Sequence, residues 1–114
     1  MKKLVLHLFH VHENAAGTGV KLAERIRQVS AERGVVLEIF IFGAAIGALA
    51  DPAQSEYRAA LVALAKEGVP VNVCRQTVES MHLADALQAQ GFGLEYARDA
   101  FIRFTIEGAT VVSL

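Results

Sequence analysis

The chain holds one cysteine, Cys74, and four histidines, His7, His10, His12 and His82. A lone thiol cannot close an internal disulfide, form a CxxC redox pair or build a multi-cysteine zinc cage. It can attack an electrophile or carry a second sulfur atom, provided its thiolate is reachable. Cys74 ends the apolar run that starts at Val69 and is followed directly by Arg75. A strand end facing helix N–H groups, with Arg75 and His82 adding positive charge, is a setting that lowers a thiol pKa. The competing account is a packed thiol, because cysteine also behaves as a small hydrophobe. Rhodanese-type and phosphatase-type loops place an arginine a few residues after the cysteine. In Cys74-Arg75-Gln76-Thr77-Val78-Glu79-Ser80 the arginine is adjacent, so neither loop is present.

The histidines raise a metal hypothesis. Residues two apart on a strand share a face, so His10 and His12 converge while His7 points away. Two histidines with Glu13 or His82 added would make only a weak site, since a tetrahedral site needs three or four protein ligands, and no metal is expected. Gly17-Thr18-Gly19 lacks the Walker lysine and the dinucleotide glycine spacing. Ordinary helix capping by Thr18 is the expected account of it.

The elements that must position Cys74 follow from the apolar pattern. Leu4–His10 reads as a strand covered on both faces. After a polar loop, Leu22, Ile26 and Val29 recur at helical spacing up to Gly34. Val35–Phe42 is a second strand, broken only by Glu38, which reads as facing a partner subunit or a sheet edge. Gly43–Ala50 is small and apolar. Asp51-Pro52 marks a helix start, with Tyr57, Leu61 and Leu64 as the inner stripe and Gly68 as the stop. Val69–Cys74 is the third strand. A loop and a short helix with Leu83 and Leu87 inside run to Gly91. Leu94–Ala97 is a weak fourth strand, Asp99 caps a last helix bearing Phe101, Ile102 and Phe104, and Thr110–Leu114 closes the sheet after Gly108. Strands alternating with helices require right-handed crossovers and give a mainly parallel sheet with helices on both faces. The crevice at the strand C-termini is where such folds bind ligands, near His10–Asn14, Gly43–Ile46 and Cys74–Ser80.

The totals agree with a single domain over residues 1–114. The hydrophobic fraction is 54%, above the roughly 45–50% of typical globular domains, so part of the apolar surface is expected at a subunit interface. A net charge of -1 with interspersed signs offers no footprint for nucleic acid. Ile39–Ala50 is too short to span a bilayer. Lys2 and Lys3 before an apolar stretch imitate a secretory signal, but histidines interrupt it and no clean cleavage site follows. A cytoplasmic location is expected, and one cysteine suits a reducing compartment.

The segment Glu67-Gly68-Val69-Pro70-Val71-Asn72-Val73-Cys74-Arg75-Gln76-Thr77 resembles the hallmark of DsrE-like proteins, the sulfur-relay family that includes TusD-like members. In that family a glycine-valine step and a hydrophobic strand lead to a cysteine followed by x-Asn-Thr. The opening Leu4-Val5-Leu6-His7-Leu8, the glycine turn at Gly43 and the ending Glu107-Gly108-Ala109 also fit. The resemblance implies a three-layer α/β/α sandwich with a five-stranded, mainly parallel sheet. It implies trimers or hexamers, and sulfane sulfur carried as a persulfide on Cys74 between donor and acceptor proteins, with no cofactor. Arg75, Gln76, Thr77, Asn14 and Gly43 would support the site. Gln76 stands where the family has Asn, which shifts that amide by one methylene. The alternative within the same fold is a non-catalytic, oligomeric small-ligand-binding or accessory module.

Overall fold

A computed structural model describes residues 2–10 and 16–114; residues 16–18 are described by backbone only. Five parallel strands form one sheet in the order β4-β3-β2-β1-β5: β1 Lys2–Leu8, β2 Val35–Ile41, β3 Val71–Cys74, β4 Gly93–Glu95 and β5 Thr110–Ser113. The helices are α1 Ala16–Ser30, α2 Ala44–Ala50, α3 Ser55–Lys66, α4 Arg75–Ser80, α5 Ala84–Ala89 and α6 Ala97–Ile106. This is the expected α/β sandwich.

The topology decides which helix covers which face. From β1 to β4 the chain advances one strand at a time in one direction, so right-handed crossovers stack their helices on one side. The connection from β4 to β5 runs back across the whole sheet, which places α6 on the opposite side. Strand alternation follows this division. Leu6, Ile39, Ile41, Val71 and Val73 face the α1 and α3 layer, where Leu61 and Leu64 of α3 meet them in the core. His7, Glu38, Phe40 and Asn72 face α6, whose Phe101 and Phe104 pack on the Phe40 ring.

Gly34, Gly68, Gly91 and Gly108 all take positive φ where a helix or helical turn gives way to a strand, as expected. Five readings change. Gly43–Ala50 is a helix after its first residue, and α4 begins directly after Cys74 with no intervening loop. Two short helices, α4 and α5, replace the single one expected. Thr18 lies inside the first turn of α1 rather than before it, so Gly17-Thr18-Gly19 is helix and not a cradle. Tyr96 is the N-cap of α6, and Asp99 sits within its first turn.

Candidate functional site

Cys74 closes β3 at its C-terminal end, one strand in from the β4 edge. Alternation along β3 turns it to the α6 face with Asn72. The residue is 4% exposed and belongs to the hydrophobic core. It occupies the N-cap of α4, a helix of only six residues, and its side chain makes no capping hydrogen bond. Its register partner on β4 is an acid, Glu95.

The expected supporting residues are arranged differently. The Arg75 guanidinium pairs with Glu79 at 3.2 Å, donates to the Leu94 carbonyl at 3.5 Å and lies 6.0 Å from the Tyr96 ring centre. An i,i+4 carboxylate on the same short helix draws it along the surface. Gln76 is exposed, and Thr77 is half-buried with its carbonyl accepting from Ser80 Oγ at 2.8 Å. His82 occupies the exposed turn between α4 and α5, with φ 58.

Gly43 is the N-cap of α2 and meets a steric demand. Its φ is 69, and a Cβ there would lie 2.5 Å from the Phe9 ring. The missing side chain leaves room for the Phe9 ring beside this turn. Asn14, His12 and Glu13 lie outside the described residues. Among the described residues no three of His, Cys, Asp and Glu gather as metal ligands.

The richest polar cluster on the α6 face is one that sequence patterning missed. Glu38 is 2% exposed on an interior strand, at neither an edge nor the surface. Arg103 of α6 grips both its oxygens, at 2.6 and 3.2 Å, and also both oxygens of Glu95, at 2.8 and 3.0 Å. Lys3 bridges Glu38 at 3.0 Å and Glu107 at 2.6 Å, and Arg103 reaches Glu107 at 3.0 Å. Asn72 Nδ2 approaches Glu38 at 3.5 Å, and its side chain lies so close over Gly93 that a Cβ there would displace it. Hydrogen bonds to Glu95 and then Glu38 hold Arg103 more firmly protonated than usual. Burial pulls the Lys3 ammonium down, but its bonds to Glu107 and Glu38 outweigh this and raise it. Hydrogen bonds from Lys3 and Arg103 hold Glu107 below the usual carboxylate range. With both Glu38 oxygens occupied, the cluster is a clasp between α6 and the sheet, not a free general base. A single acid in an apolar strand and a single arginine between Ile102 and Phe104 were the available signs of it.

His7 is the buried, hydrogen-bonded histidine of the set. Its Nδ1 lies 3.1 Å from Ser113 Oγ, and its ring touches Phe9, Phe40, Phe42 and Phe101. Nε2 is buried and has no hydrogen-bond partner among the described residues. Burial, then the neighbouring His10, lowers its pKa below the ordinary histidine value. Aromatic surroundings accommodate a neutral ring better than a charged one.

No protein-family model matches the chain, and no curated protein matches it. Solved structures do. BT1422 from Bacteroides thetaiotaomicron, a conserved protein of unknown function, is 14% identical with a TM-score of 0.74, over 96% of this chain and 94% of that one. MTH1491 from Methanobacterium thermoautotrophicum, also of unknown function, is 18% identical with a TM-score of 0.75 over 100% of both chains. The ychN protein from E. coli is 17% identical with a TM-score of 0.72, again over 100% of both. At these identities the likeness establishes the fold alone.

Proposed function

We propose that this chain is a sulfur-relay protein of the DsrE-like kind, carrying sulfane sulfur as a persulfide on Cys74. The observation that carries the reading is the place of the cysteine, at the C-terminal end of an interior strand of an open parallel sheet. The Cys74 thiolate would attack the outer sulfur of a donor persulfide, forming a new S–S bond while the donor's inner sulfur leaves as a thiolate. An acceptor thiolate would then attack that outer sulfur and release the Cys74 thiolate. Sulfur moves with its electrons balanced, so no cofactor enters. A single cysteine makes the relay intermolecular, between donor and acceptor proteins, and a reducing cytoplasm suits it. Homo-oligomers, trimers or hexamers, are part of this reading, supported by Ile102 and Ile106 of α6 standing 63% and 80% exposed. Nothing in the charge distribution favours nucleic acid, and among the described residues no helix is long and apolar enough to cross a membrane.

The 4% exposure of Cys74 and the diversion of Arg75 favour a second reading, an oligomeric accessory or ligand-binding module in which the thiol only packs. Intact-protein mass spectrometry after treatment with a low-molecular-weight persulfide separates the two. The relay reading expects a gain of one sulfur atom on the native protein, lost in Cys74→Ser. A native protein that stays unmodified while a known carrier is loaded in the same tube, and that gains sulfur only when unfolded, leaves the second reading in place.

A further inference from the structure

The two edges of the sheet are protected very differently. At one edge β4 has three residues, and its Glu95 is tied into ion pairs with Arg103. At the other edge β5 reads Thr110-Val111-Val112-Ser113, every residue exposed, with Val111 and Val112 at 37% and 39% on opposite faces. It has no charge, proline or inward-pointing acid, the devices that normally block edge pairing.

The hydrogen bonds of β5 to β1 fix which of its groups are free. Leu114 donates to the His7 carbonyl at 2.8 Å and accepts from Phe9 N–H at 2.9 Å. Alternation then turns the N–H and C=O of Thr110 and Val112 toward β1 as well, and those of Val111 and Ser113 outward.

We infer that β5 pairs antiparallel with β5 of a second copy of this chain, about a two-fold axis at Val112, giving a continuous ten-stranded sheet. In this register Val111 exchanges two backbone hydrogen bonds with Ser113 of the second copy, and Ser113 does the same with its Val111. All four outward groups of each strand are used. Val112 meets its own image as a non-hydrogen-bonded pair, the geometry with the closest side chains. Valine against valine and valine beside serine carry no like-charge penalty. That self-complementarity selects a second copy over a foreign strand, as an isologous contact requires. The contact is short beside the ~1,200 Å² or more of a standard stable interface, so alone it gives a concentration-dependent dimer, and within a larger oligomer it supplies one two-fold. It locates a surface for the self-association proposed above and is independent of sulfur loading at Cys74.

The test uses charge at the axis. In sedimentation velocity across a concentration series, Val112→Glu and Val112→Lys, each facing a like charge in the symmetric pair, should each lose the two-fold association of the wild-type chain. Mixing the two variants should restore it as a one-to-one species, because opposite charges now meet across the axis. Circular dichroism checks that both variants keep their fold, and the exposed position of Val112 allows this. A wild-type chain that stays monomeric at high concentration overturns the inference. So do variants that associate like the wild type, and a mixture that stays as dissociated as its components.

Discussion

On the α1 side of the sheet, Leu6, Ile39, Ile41, Val71 and Val73 form an unbroken aliphatic layer, each at most 1% exposed. On the α6 side the same strands present Lys3, His7, Glu38, Asn72 and Cys74. Among the described residues the first face is covered by several helices and the second by α6 alone. The aliphatic face needs no partner for any group, so its stability scales with area and packing. The α6 face holds a carboxylate, an imidazole and a thiol out of water. Each polar group there depends on a named neighbour or remains unsatisfied. Candidate chemistry has therefore gathered on the face that has one helix and most of the polar groups.

The contrast can be broken from either side. The largest loss is expected for Ile39→Ala on the aliphatic face, about 4 kcal/mol in urea unfolding, from lost transfer energy plus the cavity. That loss should be the same at neutral and mildly acid pH. Arg103→Ala should cost about 3 kcal/mol, because Glu38 keeps only Lys3 and Asn72 as partners in a buried site. Replacing Glu38 and Arg103 together by leucine should recover most of it, and a double variant as unstable as Arg103→Ala would show that the clasp is not ionic in origin. Gly43→Ala should cost about 2 kcal/mol through positive φ and the Phe9 contact, read from thermal unfolding.

The smallest effect is that of His7, and its sign is fixed. Its pKa in the folded chain lies below the ordinary 6.5, so the unfolded chain takes up the proton first. Its contribution is intact above that value and is lost as the pH falls from there toward the lowered pKa. The melting temperature of the wild-type protein should drop over that interval, and His7→Phe should remove the drop. An equal drop in both proteins would assign it to other groups. Glu107, held below the usual carboxylate range by its hydrogen bonds from Lys3 and Arg103, loses its charge only at lower pH.

The sequence pattern carried the aliphatic face well and the α6 face poorly. Tyr57, Leu61 and Leu64 of α3 are buried as their helical spacing requires, and four glycines mark the starts of the following strands. Period and turn chemistry are local, so they can be read from neighbours in the chain. The helix Ala44–Ala50 escaped notice because five of its seven residues are alanine or glycine, leaving only Ile46 and Leu49 to mark a period. The Glu38–Arg103 pair spans 65 positions, and nothing local to β2 announces its partner. Arg75 looked like the natural companion of Cys74 because it adjoins it. The chain direction at the start of α4 turns it instead toward Glu79 and Tyr96.

The return of the chain from β4 to β5 has a kinetic consequence. Contacts such as Lys3 with Glu107 and His7 with Ser113 join positions 104 and 106 residues apart. The other strand pairings each close over a single crossover, at a much smaller loop entropy. Docking of β5 beside β1 is thus the step with the greatest sequence separation, and it should come late in folding. In native-state hydrogen exchange, Val112 N–H should open at a lower free energy than the amides of Ile39 and Ile41, making the last strand a latch that lifts before the sheet beneath it melts.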